Sequence, residues 1–338
     1  MTSSLPAFFD HWLPRLDDEI RLSVGQAAHG AYVRFYGMLH YHLGWADADF
    51  KPETTAASGK RIRPMLCLLV CEASGGDPQC ALPAAAAIEL LHNFSLIHDD
   101  VEDASDLRRG RPTLWKLWGA AQAINAGDAL FSIAHAAFHR LGDLGVPADR
   151  QVAARTLFDR TCLKLTQGQF LDLSYETRGD VSVDEYLHMI DGKTAALVSG
   201  SAALGAILAG ADSVERYARF GRCLGMAFQI QDDVLGIWGD PGITGKSAAS
   251  DIISRKKSLP VLYGLESDEE LRALYAAPEM DVARAVDALE RSGAKEHAAR
   301  IAGEYTEEAM AALEDAHPQG RAADALRELA RTLLGRQA

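Results

Sequence analysis

Residues 81–103 read ALPAAAAIELLHNFSLIHDDVED. Ala and Leu dominate its first half, both strong helix formers, and its apolar residues keep three-to-four spacing, which reads as a helix. The run ends in His98-Asp99-Asp100-Val101-Glu102-Asp103, so an apolar helix terminates in a knot of carboxylates. The same three-to-four spacing of apolar residues recurs in AINAGDALFSIAHAAFHRLGDL (123–144) and in RAVDALERSGAKEHAARIAGEYTEEAMAALEDA (284–316). No alternating β-branched run long enough for a sheet interrupts these segments. Breaks at Gly75-Gly76-Asp77-Pro78, Arg109-Gly110-Arg111-Pro112, Gly145-Val146-Pro147 and Gly239-Asp240-Pro241-Gly242 read as short inter-helical loops. Loops this short predict an all-α fold, a single-domain helical bundle over 1–338. The amphipathic, charged stretch after about Glu266, residues 266–338, is expected to form surface helices.

The 338 residues suffice for a sizeable core without a disulfide or metal staple. Acidic residues outnumber basic ones 47 to 34, a net charge of −13, and no long basic block occurs, which argues against a nucleic-acid partner. The opening MTSSLPAFFDHWLPRLDDE carries acids and prolines where a secretory signal has a basic region followed by an apolar run, so a cytoplasmic product is expected. Five cysteines, Cys67, Cys71, Cys80, Cys162 and Cys223, form no C-x-x-C and read as small core residues. The apolar segment AALVSGSAALGAILAGA, Ala195–Ala211, is short for a bilayer and built of small residues, so it is expected to be a buried helix and the chain not to span a membrane.

Chemistry concentrates in two acidic patches and the cations around them. On a helix Asp99 and Asp103 share one face at i,i+4, with Asp100 beside them. Like charges so placed repel, and a cation relieves the repulsion. An oxygen-only donor set suits Mg²⁺, which takes a few carboxylates together with substrate phosphates and water. A second pair, Asp232-Asp233, follows another small-residue helical run. Basic residues stand beside glycines or at predicted helix ends: Lys60, Arg61 and Arg63 in GKRIRP, Arg108, Arg109 and Arg111 in RRGRP, Lys193 in GKT, Lys246, and Arg255-Lys256-Lys257. Arg forks and Lys point charges in such places recognise phosphates. Together they describe a site for metal-complexed phosphorylated substrates, with an Ala-rich lining that accepts a hydrocarbon tail.

The ordered motifs GKRIRP, LLHNFSLIHDDVED with RRGRPT, GDALF, QGQFLDL, DGKTAAL, FQIQDD, TGK and KKSLP, spread over about 58–260, resemble the trans-isoprenyl diphosphate synthases of the polyprenyl synthetase family. The resemblance implies an all-helical bundle of the isoprenoid synthase type around a central cavity, usually a homodimer. It also implies a transferase that condenses isopentenyl diphosphate head-to-tail with an allylic diphosphate, dimethylallyl, geranyl or farnesyl. About three Mg²⁺ ions per site are expected on the same ground. Carried over by motif, Asp99 and Asp103 are metal ligands with Asp100 in the same motif, and Asp232 binds a further ion with Asp233 in support. Arg108, Lys193 and Lys256 hold the allylic diphosphate, with Lys246 near the same group. Lys60, Arg63, His92 and Arg109 hold isopentenyl diphosphate. Thr194 and Gln229 match the polar residues near the carbocation, and Gln169 and Asp172 those near the first metal motif.

Two positions depart from the family pattern. Gly236 stands where the second motif usually ends in a third Asp, and Glu102 adds a carboxylate inside the first motif. For chain length, Ser95 lies one helical turn, about 6 Å, before Asp99 and leaves the tail pocket open. Phe94 is expected to set its floor, with Ala129, Leu130 or Ile133. An aromatic five residues before the motif with a small residue at the fourth resembles geranylgeranyl (C20) synthases; farnesyl and longer-chain products are the alternatives. A terpene cyclase would have no reason to assemble Lys60, Arg63, His92 and Arg109, and a non-catalytic partner subunit would not need Asp99, Asp103, Arg108 and Lys193.

Overall fold

The computed structural model describes residues 4–25, 30–53, 59–239 and 249–335. Among these the only strands are two residues each, and everything else of regular structure is helical, as the apolar periodicity predicts. Backbone proximity divides the chain into two compact units, Met1–Leu157 with Leu204–Ala211, and Phe158–Ala203 with Asp212–Ala338.

The first unit is organised by the helix Pro78–Glu102. Asp77 caps it, its carboxylate accepting from the Gln79 amide at 2.9 Å, and Pro78 occupies the first turn, where its missing N–H costs nothing. From Ala81 to Leu91 the helix is buried on every side, beneath Ser4–Val24, Ile62–Ala73 and Ala120–Ala137. Beyond Leu91 its last turns emerge again, and those carry the acidic cluster. Between this helix and the next lies a hairpin rather than a plain loop: Leu107–Arg108 pairs antiparallel with Arg111–Pro112. Arg109 (φ 53°) and Gly110 (φ 76°) are both left-handed, as a two-residue turn matched to strand twist demands. The Arg111 guanidinium pins the hairpin by donating to the carbonyls of Tyr41 (3.1 Å) and Ala46 (2.7 Å), while the Tyr41 hydroxyl donates to the Pro112 carbonyl.

In the second unit the helix Val183–Ile190 starts with a reciprocal box between Ser182 and Glu185 and runs into one π turn, Asp191–Ala195, before continuing as Ala196–Ala209. The turn is wedged against the helix Ala148–Glu176: a Cβ at Gly168 would lie 2.0 Å from the Lys193 amide nitrogen, so only glycine fits. A single widened turn of this kind re-aims the side chains on it. The charged C-terminal region is less peripheral than its composition predicts. Ala294–Asp315 packs along Val214–Trp238 through Ala298, Ala302, Ala309 and Ala312, because small residues let two helices approach closely while the charges occupy the other face.

Two helices, Pro78–Glu102 and Val183–Ala209, are long and apolar enough to cross a membrane, but 72% of each apolar window is buried within the fold. All five cysteines are thiols, and all but Cys80 are buried, as expected of small core residues.

The alanine stripe gives a stability prediction. Ala298→Leu, inserted among Met226, Ile230 and Leu259, should lower unfolding free energy by about 1–3 kcal/mol through overpacking, measured by denaturant titration.

Candidate active site

The first unit gathers the residues expected to bind isopentenyl diphosphate. Arg63 Nη1 lies 3.3 Å from His92 Nε2. Arginine can only donate, so Nε2 accepts and the imidazole is neutral. Burial, and then the charges of Arg63, Arg109 and Arg108, hold the His92 pKa well below its ordinary value. Gly59 sits against the Arg109 guanidinium, with a hypothetical Cβ only 2.8 Å from Nη2, which brings the loop that carries Lys60 up to the hairpin tip. Lys60 and Arg109 are exposed, and Arg63 and His92 are half-buried behind them.

The first acidic motif is divided by burial. Asp100 is 2% exposed and accepts from Arg108 Nε at 2.7 Å. Burial raises its pKa, and Arg108 opposes that rise. Asp99 is half-buried and Asp103 and Glu102 are exposed, so the face that meets solvent is the Asp99/Asp103 face predicted from spacing. A pocket between the hairpin and the helix Val33–His42 is lined by His42, Asp100, Arg108, Arg109 and Arg111. His42 was not legible as a site residue; its Nε2 is shielded from solvent, and burial followed by Arg109 and Arg108 pushes its pKa down to about 3, with Asn93 opposing.

The second unit gathers the other set. The π turn presents Lys193, whose ammonium pairs with Asp172, and Thr194, whose hydroxyl donates to Gln229 Oε1 at 2.8 Å. Asp191, on the same turn, accepts from Lys164 Nζ (2.7 Å) and Arg222 Nε (2.6 Å). Gln229 Nε2 donates to Asp233 at 3.1 Å, and Tyr186 donates its phenolic proton to the same carboxylate. Asp233 is 1% exposed, and burial raises its pKa. Asp232 is half-buried, so of the DD pair it is Asp232 that meets the outside. The Lys256 ammonium stands 3.8 Å from Asp233 and 4.0 Å from Asp251. Burial works against its charge, but Asp233, Asp251, Asp172 and Asp232 together hold its pKa above the ordinary value.

Asp251 also explains Gly236. A Cβ at position 236 would meet the Asp251 carboxylate oxygens at 2.5 and 2.8 Å, so the place of the third aspartate is roofed by a carboxylate from Ser250–Ile253. Lys246 lies outside the described residues. Of the chain-length residues, Phe94 packs on Phe131 with centroids 5.0 Å apart, Leu130 is fully buried, and Ala129, Ile133 and Ser95 are half-buried. Phe131 was missed because it sits inside the quoted GDALF motif without a spacing signal of its own.

Neither unit, among the described residues, contains three acidic, His or Cys side chains close enough to hold an ion alone. The outward carboxylates Asp99, Asp103 and Asp232 are oxygen donors, the donor type that Mg²⁺ takes together with substrate phosphates and water.

The profile of the polyprenyl synthetase family matches residues 51–291. The chain belongs to the polyprenyl synthetase family. The geranylgeranyl diphosphate synthase of Mycobacterium tuberculosis is 45% identical over 291 residues, 82% of this chain and 81% of that one. A (2E,6E)-farnesyl diphosphate synthase of Mycobacterium bovis is 47% identical over 228 residues, 67% of this chain and 62% of that protein. In structure, this polyprenyl synthetase resembles the geranylgeranyl pyrophosphate synthetase of Pyrococcus horikoshii with a TM-score of 0.87 at 33% identity, covering 99% and 98% of the two chains.

Two outcomes follow for this polyprenyl synthetase. Gly236→Asp, which restores the family's third aspartate, should reduce turnover and thermal stability instead of improving them, because its side chain collides with and repels Asp251. As for pH, a histidine whose folded pKa is depressed stabilises the fold above its unfolded pKa of about 6.5. That contribution is lost as pH falls from about 6.5 toward the His42 value of about 3. A His42→Asn variant should therefore show a shallower decline of melting temperature over that acid range.

Proposed function

We propose that this polyprenyl synthetase is a trans-prenyltransferase that condenses isopentenyl diphosphate with an allylic diphosphate and releases geranylgeranyl diphosphate. The observation that supports the reading is the clustering of Lys60, Arg63 and Arg109 about a neutral His92, beside an acidic motif in which Arg108 already balances Asp100; we read this cluster as a second diphosphate site. A cyclase needs one diphosphate site and has no use for a second.

In this reading Arg108, Lys193 and Lys256 grip the allylic diphosphate, with Lys246, and Asp99, Asp103 and Asp232 are the residues that would hold Mg²⁺. The metal supplies Lewis-acid stabilisation of the departing diphosphate. The chain supplies the rest. Arg63 and a neutral His92 orient isopentenyl diphosphate without adding a second titrating charge. Thr194 spends its proton on Gln229, and Gln229 spends its amide N–H on Asp233, so Thr194 turns oxygen lone pairs outward. Oxygens so fixed stabilise a nearby carbocation without offering it an acidic proton. In this reading the departing diphosphate takes the proton that ends the step.

The chain-length reading rests on Phe94 braced by Phe131, with Ser95 small beside it and its hydroxyl turned back to the His92 carbonyl at 2.9 Å. We also propose a homodimer, built on the exposed Leu163 and Phe170 of the helix Ala148–Glu176, and that the whole chain works as one functional domain.

The test is incubation of the purified protein, isopentenyl diphosphate and Mg²⁺ with C5, C10 or C15 allylic diphosphate, followed by mass spectrometry of the dephosphorylated products. Linear C20 alcohol is expected, chelation with EDTA should abolish its formation, and Phe94→Ala should lengthen it. A product stopping at C15 would favour the farnesyl assignment; cyclic hydrocarbon formed without isopentenyl diphosphate would sink the proposal.

A further inference from the structure

Arg61 stands between two phosphate-binding residues, Lys60 and Arg63, yet it points the other way. Its side chain is 2% exposed, and Nη1 donates to Glu89 at 2.6 Å, with Glu89 itself 3% exposed. On its other edge Nε reaches Asp17 of the helix Ser4–Val24 at 3.3 Å. Glu89 lies one turn before His92 on the helix Pro78–Glu102. Asn93, completely buried, donates its amide to both the Glu89 carboxylate and the Glu89 carbonyl at 2.8 Å.

The backbone shows what this arrangement does. Arg61 is left-handed (φ 52°) at the entry to the helix Ile62–Ala73, a conformation that an arginine adopts only when its surroundings impose it. Its carbonyl accepts from the Met65 amide at 3.1 Å, so the residue that is clamped is also the residue that starts the helix. Clamping Arg61 fixes the direction in which Lys60 leaves the loop and Arg63 leaves the first helical turn. The Glu89 charge also acts on Arg63 and Arg109, offsetting in part the burial that works against their charges.

We propose that the buried Arg61–Glu89 pair, braced by Asn93, is the positioning device of the isopentenyl diphosphate subsite, setting the aim of Lys60 and Arg63 without touching substrate. This inference rests on the prenyl-transfer reading. Replacing a buried ion pair by apolar residues is often tolerated for stability, whereas removing one partner is not, and the two roles can therefore be separated. Arg61→Lys keeps the charge and loses the two-edged fork; the double variant Arg61→Met with Glu89→Leu removes both charges at once.

Each variant is purified, its melting temperature recorded, and KM measured separately for isopentenyl diphosphate and for the allylic diphosphate. In a folded variant, KM for isopentenyl diphosphate should rise about tenfold or more, with KM for the allylic substrate within about twofold of wild type. Calorimetric titration of isopentenyl diphosphate should weaken in step. An unchanged isopentenyl KM in either folded variant overturns the proposal, as does an equal rise in both KM values or a loss of kcat alone. If Arg61→Lys does not fold, the double variant is read by the same criteria. Absence of turnover in the wild-type chain defeats the prenyl-transfer reading itself and takes this inference with it, an outcome distinct from a turning-over enzyme with indifferent variants.

Discussion

Carboxylates crowded at the end of a helix repel one another, and the energy of that repulsion grows as water is excluded. The fold meets this constraint in both acidic motifs by the same means, turning one aspartate inward onto a donor and leaving its neighbour toward the outside. Asp100 is satisfied by Arg108, and Asp233 by Tyr186, Gln229 and the approach of Lys256. The inward carboxylate then does a second job: it fixes the cation or amide that meets it, so that charge compensation and side-chain orientation are one set of contacts. Without this division each motif would be an indiscriminate patch of negative charge that repels a diphosphate.

The same economy governs the backbone around the sites. The two-residue hairpin holds Arg109 in a left-handed turn, the loop before Ile62–Ala73 holds Arg61 in another, and the π turn aims Lys193 and Thr194. Each of these departures from regular geometry is over-determined by contacts on both sides: Arg111 on the carbonyls of Tyr41 and Ala46, Arg61 on Glu89 and Asp17, Asp191 between Lys164 and Arg222. Three of the chain's departures from regular geometry therefore fall beside the candidate site residues Lys60, Arg109, Lys193 and Thr194.

Much of this was legible in the sequence because it is local. The apolar spacing of 81–97 announces a helix, and the spacing of Asp99 and Asp103 announces a shared face; both follow from helical geometry alone. Which residue of the Asp232-Asp233 pair turns inward was not legible from spacing, since nothing in the string DD alone decides it. Arg61, Glu89 and Asn93 escaped because their roles depend on a long-range meeting of two helices and a loop, and a buried arginine inside GKRIRP looks like its phosphate-binding neighbours. The hairpin was read as a loop because its strands are two residues long, too short to carry any alternation. The C-terminal helix Ala294–Asp315 looked peripheral because its burial is effected by alanines, which composition counts as weakly apolar but which allow the closest helix approach.

The contact between Gly236 and Asp251 has a bearing on how such sequences diverge. With the Asp251 carboxylate resting where a side chain at 236 would begin, the two positions are not independent characters. A third aspartate at 236 brings two anions into one space unless the Asp251 side chain turns aside. The cost of a side chain at 236 is therefore set at a distance in sequence, by the room that Ser250–Ile253 leaves for the Asp251 side chain to rotate.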